Sequence, residues 1–229
     1  MKFSYKFTEK KEKQAYKVYE ILVENFSQSF FVGGTVRDML LRKKLTDFDL
    51  ATSAKPYQVT ALLKKHGIRT DEQHKRYGII IAKLRGLDIE IATLRKDIAT
   101  NTRYPEVTFI SSPKVDSKRR DFSMNSLYFK PKNNIVYDYN KGVSDIKKKL
   151  IKFIGNPIKR IEEDPLRIVR AYRFMLQLNF KLEAKTATAL SKNIHLLQQL
   201  SDSRIRTEIN KLATKDLRKK LCTIINKNT

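Results

Sequence analysis

Residues 33–52, GGTVRDMLLRKKLTDFDLAT, constrain this chain more than any other stretch. An apolar run, Phe30-Phe31-Val32, reads as a strand that meets Gly33 and Gly34 and then turns into a helix. Glycine alone enters the left-handed backbone region freely and lets the main chain come close to a ligand. The first N–H groups of the helix lack internal partners and carry the positive end of its dipole, so such a turn suits a polyphosphate. Arg37 and Asp38 fall in the first turn of that helix. Taken alone, two glycines before a helix are more often a plain turn.

The triplet Asp47-Phe48-Asp49 adds chemistry to the turn. In a strand, side chains alternate, so Asp47 and Asp49 project from one face with Cα atoms ~7 Å apart, and Phe48 and Leu50 from the other. Carboxylates that close repel unless a cation sits between them, and a hard oxygen pair suits Mg²⁺ shared with substrate phosphates. Two such ions ~4 Å apart can activate an attacking hydroxyl and steady a pyrophosphate leaving group. An isolated Asp-x-Asp reads as two solvated residues on an edge strand. About a dozen residues after GGxVRD, it reads as a metal seat.

This order of motifs resembles the signature of the class II tRNA nucleotidyltransferases and bacterial poly(A) polymerases, of the polymerase β nucleotidyltransferase superfamily. The resemblance implies an α+β fold, with a mixed-sheet nucleotidyltransferase head over residues 1–137 and an all-α neck over residues 138–229. It implies that Asp47 and Asp49 bind Mg²⁺ and that Gly33, Gly34 and Arg37 seat a triphosphate. The rest of the chain follows the family order to about residue 212.

Residues 9–26 carry Ala15, Val18, Tyr19, Leu22 and Phe26 at helical spacing, and residues 56–66 suggest a second helix opening at Pro56. From Gly78 to Leu84 and from Leu87 to Thr93 two β-rich runs flank Arg85-Gly86, a hairpin pattern. Asp88 and Glu90 share one face of the second run. Should that run neighbour the Asp-Phe-Asp strand, Glu90 is the candidate third catalytic carboxylate; a charged outward face is the equal alternative. Residues 96–118 are poor in apolar side chains and read as a mobile loop with a short strand at Val107–Ile110. In the family this loop helps the active site change preference from CTP to ATP. Arg103, Pro105, Glu106 and Val107 resemble the family's pattern there, which favours ATP use.

In RRDFSMNSLYF, residues 119–129, the bare sequence offers a surface arginine pair with Phe122, Leu127 and Phe129 as core. The resemblance assigns sugar contacts to Arg120 and Asp121, with Asn125 in support. Residues 137–160 hold seven Lys or Arg and read as a junction with a basic face suited to an RNA backbone. The stretch EEDPLRIVRAYRFMLQL places Arg167, Arg170 and Arg173 on one arc of a helix, opposite Ile168, Val169, Tyr172, Met175 and Leu176. Sequence physics leaves a solvated arginine arc and an Asp N-cap as an open alternative. The resemblance assigns Asp164 and Arg167 to the Watson–Crick edge of the incoming base, with Arg170 and Arg173 holding the helix or the triphosphate. Residues 184–213 read as further helix, with Ser201 as an N-cap. Beyond residue 212 the resemblance stops at KDLRKKLCTIINKNT, where family members continue into body and tail domains that grip tRNA. Either the chain is trimmed or it is a minimal form that holds RNA by other means.

Composition supports a polyanionic partner. The formal charge is +24 with pI ≈ 10.0, and such an excess attracts nucleic acid in a salt-dependent way. A lysine-rich bias or an anionic membrane surface could give the same total. No apolar run reaches the ~18 residues of a membrane span, and the charged N-terminus lacks a signal-peptide core. The lone Cys222 excludes an internal disulfide and fits a cytoplasmic location. His66, His74 and His195 lack zinc-ligand spacing. The expected activity is CCA addition, of C and/or A, to the 3′ end of tRNA from CTP and ATP. Alternatives are a poly(A) polymerase or A-adding enzyme of the family, or a non-catalytic basic RNA-binding protein.

Overall fold

The computed structural model describes residues 1–98 and 106–226; Arg103 and Pro105 of the expected loop pattern lie outside them. The chain divides into two units. The first takes Met1–Ala99, Glu106–Arg120 and Met124–Gly142; Asp121–Ser123 and Val143–Thr229 belong to the second.

The first unit is built on a mixed sheet. Its elements are α1 (Lys10–Asn25), β1 (Ser29–Val32), α2 (Gly33–Leu40), β2 (Phe48–Thr52), α3 (Pro56–Lys65), β3 (Arg69–Asp71), β4 (Ile79–Leu84), β5 (Leu87–Thr93), β6 (Arg95–Asp97), β7 (Val107–Phe109), α4 (Pro113–Ser117), β8 (Leu127–Lys130) and β9 (Ile135–Asp138). Seven strands pair in the order β3-β4-β5-β2-β1-β8-β9. Only the β2–β5 pairing among them is parallel. That pairing sets Asp49 beside Glu90.

β1 lies near the middle of the sheet and is buried on both faces, which is why it reads as an unbroken apolar run rather than an alternating one. Phe30 and Val32 pack with Ala51, Leu94 and Tyr128 on one side. Phe31 meets Phe7 and Tyr19 on the other, at ring-centroid distances of 5.2 and 5.3 Å. The β4–β5 hairpin turns at Arg85-Gly86 as its composition demands, with Gly86 at φ +73°.

The expectation of a mobile loop over residues 96–118 is corrected for its described part. β6 and β7 pair antiparallel, and α4 follows, capped by the Ser112 side chain on the Val115 amide. Few apolar side chains suffice here because Ile110 packs on the core beside Leu94 and Tyr128, and buried Asp116 accepts from the Arg95 amide and Arg119.

The second unit is mainly helical: α5 (Gly142–Lys147), β10 (Leu150–Ile151), α6 (Pro157–Glu163), α7 (Leu166–Leu178), β11 (Lys181–Leu182), α8 (Ala184–Asn193), α9 (Asp202–Asn210) and α10 (Lys215–Asn226). β10 and β11 add a short parallel ribbon. Pro157 occupies the first turn of α6, where Asn156 caps the Ile158 and Lys159 amides. Pro165 forces Asp164 into an extended conformation, φ −156°, and so separates α6 from α7. The apolar arc of α7 buries Ile168, Val169, Ala171, Phe174 and Leu178, while Tyr172, Met175 and Leu176 are only partly covered. Ser201 precedes α9 as expected, but its side chain makes no capping bond.

Candidate active site

β1 ends at Val32 and α2 begins at once with Gly33, whose φ is +65°. A Cβ at Gly33 would stand 3.3 Å from Arg120 Nη1 and 3.5 Å from Asp49 Oδ2. The backbone conformation favours glycine there, and any side chain would press on the end of Arg120. At Gly34 a Cβ would meet Arg37 Nη2 at an ordinary 3.5 Å, so space does not demand glycine at that position. Thr35, which sequence reasoning passed over, pins the turn to the acidic triplet. Its buried hydroxyl accepts from the Asp49 amide at 2.8 Å and donates to the Asp47 carbonyl at 3.3 Å. The available signal was a short hydroxyl side chain in the first turn after the glycines.

Asp47 is exposed and stands just before β2, its Oδ2 accepting from the Thr46 hydroxyl at 3.1 Å. Asp49 is half-buried in β2, and exposed Glu90 is its register partner on β5. Glu90 therefore occupies the neighbouring strand, as its candidacy required. Burial, followed by the charges of Glu90 and Asp47, pushes the Asp49 carboxyl up to about 7 against the opposing pull of Arg120 and Arg37. Crowded carboxylates of this kind are what a bound cation relieves. No three His, Cys, Asp or Glu side chains among the described residues form a ready metal cage. Asp49 and exposed Asp47 offer hard carboxylate oxygens of the kind taken by an ion that binds one or two carboxylates and completes its shell from water and substrate oxygens, as Mg²⁺ does.

Two arginines flank the turn. Arg37 is 5% exposed and grips its neighbour Asp38 through Nε and Nη2 at 2.9 and 2.8 Å, while Nη1 donates to Asn125 Oδ1 at 2.8 Å. Much of its hydrogen-bonding capacity thus serves to hold α2 to the segment before β8. Arg120 is anchored by Asp116 and Tyr128, two residues that sequence reasoning did not single out. Burial alone would raise the Asp116 carboxyl, but Arg119, Arg120, the Tyr128 hydroxyl and the Arg95 amide hold it down at about 2.

The Arg-Arg-Asp-Phe motif is divided: Arg120 belongs to the first unit and Asp121 to the second. Asp121 accepts from Arg170 Nε at 2.8 Å and from the Phe122 amide at 2.7 Å. Burial opposes its ionisation, yet Arg170 and the amide hold its carboxyl at about 2.

The arginine arc of α7 is not a solvated face. Arg173 is 5% exposed and donates to Glu208 Oε2 at 2.8 Å and to Gln177 at 2.7 Å. Arg170 bridges Asp121 and, at 3.6 Å, Glu208. Arg170 and Arg173 therefore tie α7 to α9. Asp164 Oδ1 accepts from the Leu166 amide at 3.2 Å and from Arg204 Nη2 at 3.1 Å. Arg167 Nη1 donates to the Arg160 carbonyl at 2.6 Å and to Glu163 at 2.7 Å. Asp164 and Arg167 thus leave the second carboxylate oxygen and the Nη2 group unbonded among the described residues. One acceptor and one donor stand on adjoining turns.

Among the described residues no helix is long and apolar enough to cross a membrane.

Comparison with known proteins agrees in both units. The family described as "Poly A polymerase head domain" matches residues 29–152, and "Probable RNA and SrmB- binding site of polymerase A" matches residues 179–216. The chain is 37% identical over 202 residues to the CCA-adding enzyme of Anoxybacillus flavithermus and 42% identical over 202 residues to that of Lactobacillus delbrueckii subsp. bulgaricus, in each case covering 87% of this chain and 50% of the relative. The chain thus spans about half the length of the curated relatives it matches. The crystal structure of the Bacillus stearothermophilus CCA-adding enzyme in complex with CTP superposes with a TM-score of 0.78 at 32% identity, covering 89% of this chain and 49% of that one. A tRNA nucleotidyltransferase complexed with a primer tRNA and an incoming ATP analog gives 0.71 at 30% identity, covering 92% and 60%. Since the head-domain match takes in the glycine turn, the acidic triplet and more than half of the sequence, the chain belongs to the poly A polymerase head-domain family.

Proposed function

We propose that the protein is a template-independent RNA nucleotidyltransferase that adds C and/or A to the 3′ end of tRNA from CTP and ATP, with release of pyrophosphate, in the cytoplasm. The observation that carries this reading is the meeting of Gly33, Asp49 and Arg120 at the β1–α2 turn, with Glu90 beside Asp49. The names of the relatives, CCA-adding enzymes, and the CTP and primer-tRNA complexes of similar structures support it.

Residues 1–137 are assigned the chemistry and residues 138–229 the choice of base. Asp47 and Asp49 would hold Mg²⁺, and Glu90, the register partner of Asp49, would stand beside them as a third catalytic carboxylate. Bound there, Mg²⁺ would acidify the RNA 3′-hydroxyl and offset charge on the departing pyrophosphate. Gly33 and Gly34 keep the backbone low beneath the triphosphate, and the amides opening α2 donate to its oxygens. Arg37 fixes α2 through Asp38 and Asn125, and Arg120 supplies positive charge beside Asp49. Asp121 orients Arg170, and Arg170 and Arg173 hold α7 so that Asp164 and Arg167 keep their positions. An acceptor on Asp164 and a donor on Arg167 match the amino group and ring nitrogen of C or A and disfavour G or U.

Purified protein incubated with Mg²⁺, each labelled NTP singly and mixed, and tRNA ending before CC, after C or after CC tests the reading. Ordered C, C, A addition that then stops is the expected result. Long A tails on an unstructured RNA would transfer the assignment to poly(A) polymerase. No incorporation would leave a basic RNA-binding protein.

A further inference from the structure

Asp116 is fully buried, at 0% exposure, and both of its oxygens are committed. Oδ1 accepts from the Arg95 amide at 2.9 Å and from Arg119 Nε at 2.8 Å. Oδ2 accepts from the Tyr128 hydroxyl at 2.5 Å and from Arg120 Nε at 3.3 Å. The Tyr128 hydroxyl in turn accepts from Arg120 Nε at 3.0 Å, and the guanidinium carbon lies 5.1 Å from the Tyr128 ring centroid. The Nε edge of Arg120 is thus clamped from two sides. Its far end reaches the glycine turn, with Nη1 only 3.3 Å from where a Gly33 Cβ would stand.

We infer that Asp116 and Tyr128 are positioning residues for nucleotide binding: they grip the Nε edge of Arg120 and aim its far end at the Gly33 turn beside Asp49. This inference rests on the nucleotidyltransferase reading. A long arginine side chain that must be ordered as the ligand arrives costs affinity, and fixing it beforehand removes that cost. Asp116 also offsets part of the charge of an arginine cluster, Arg95, Arg119 and Arg120, which would otherwise repel itself in a buried setting. The surplus positive charge is then presented to the oxygens of a nucleotide. Tyr128 contributes twice, since its ring also packs edge-on against Phe30 in the core at 5.8 Å. That double role ties the aim of Arg120 to the frame of the sheet.

Tyr128→Phe separates the two contributions, because the ring remains and only the hydroxyl is lost. The probes are ATP and CTP titrated calorimetrically into the full chain in EDTA, with steady-state kinetics in Mg²⁺ and thermal melting alongside. Expected for Tyr128→Phe is a Kd weaker by about tenfold, the scale of one charge-assisted hydrogen bond. KM should rise in parallel, with kcat within about twofold of wild type. Asp116→Asn should weaken binding further. An unchanged Kd in Tyr128→Phe, beside a clear loss in Arg120→Ala, would overturn the positioning role and leave the nucleotidyltransferase reading intact. A lower melting temperature with unchanged Kd would likewise mark the hydroxyl as structural only. Wild-type protein that binds neither nucleotide and transfers none would overturn the reading itself.

Discussion

Asp49→Asn should make the metal-free protein more stable at pH 8 while removing its transfer activity. The Asp49 carboxyl is raised from 3.8 to about 7 by burial and by Glu90 and Asp47. Because its pKa is higher folded than unfolded, the native state holds the extra proton between these values. Stability is then greatest below pH 4, falls as pH rises towards 7, and is level above about 8. Three units at ~1.4 kcal/mol each set a ceiling of about 4 kcal/mol. Because the side chain is only half-buried and water screens it, about 2 kcal/mol is the working expectation. Asparagine keeps the shape and lacks the charge, so it escapes the penalty. Urea unfolding of both proteins in EDTA, from pH 4 to pH 8, measures the gap. A mutant no more stable than wild type at pH 8, or a gap that does not change with pH, would show that Asp49 is not held against its own ionisation. The case for a cation at this position would weaken accordingly.

Gly33→Ala should lower stability by about 1–2 kcal/mol, since alanine is strained at positive φ, and the new methyl would press on Arg120; thermal melting and the KM for ATP should shift together. Glu208→Ala should cost about 3 kcal/mol by leaving Arg173 buried without its carboxylate, read as a lower urea midpoint, and tRNA binding measured on the fraction still folded should be little changed. Arg167→Ala should lose discrimination of CTP against GTP before it loses RNA affinity; competition assays that return wild-type selectivity would remove Arg167 from base choice.

Much of the fold was legible because it is governed by neighbours a few residues apart. The 3.6-residue spacing of Ala15, Val18, Tyr19 and Leu22 yields α1, the Arg85-Gly86 turn yields the β4–β5 hairpin, and Gly33 breaks the strand where its backbone must turn. The order of motifs is likewise local, and it singled out the acidic pair and the glycines as candidates. The described part of residues 96–118 departs from the loop reading, because β6–β7 pairing, the packing of Ile110 on the core and the hydrogen bonds of buried Asp116 leave no apolar periodicity to read.

Tertiary structure alone decided which charges meet. Asp49 and Glu90 become neighbours only through a parallel pairing of β2 with β5, and parallel strands must be joined by a long crossover that local sequence does not announce. Arg173 reaches Glu208 across 35 residues and Arg170 reaches Asp121 across 49, while Asp116 takes the Arg95 backbone amide across 21. A helical wheel shows three arginines on one arc but not the carboxylates that cover them, so the arc reads equally well as solvated. Periodicity records which side chains must leave water. Where a buried charge finds its counter-ion depends on the packing of segments distant along the chain, and that is settled only when the fold closes.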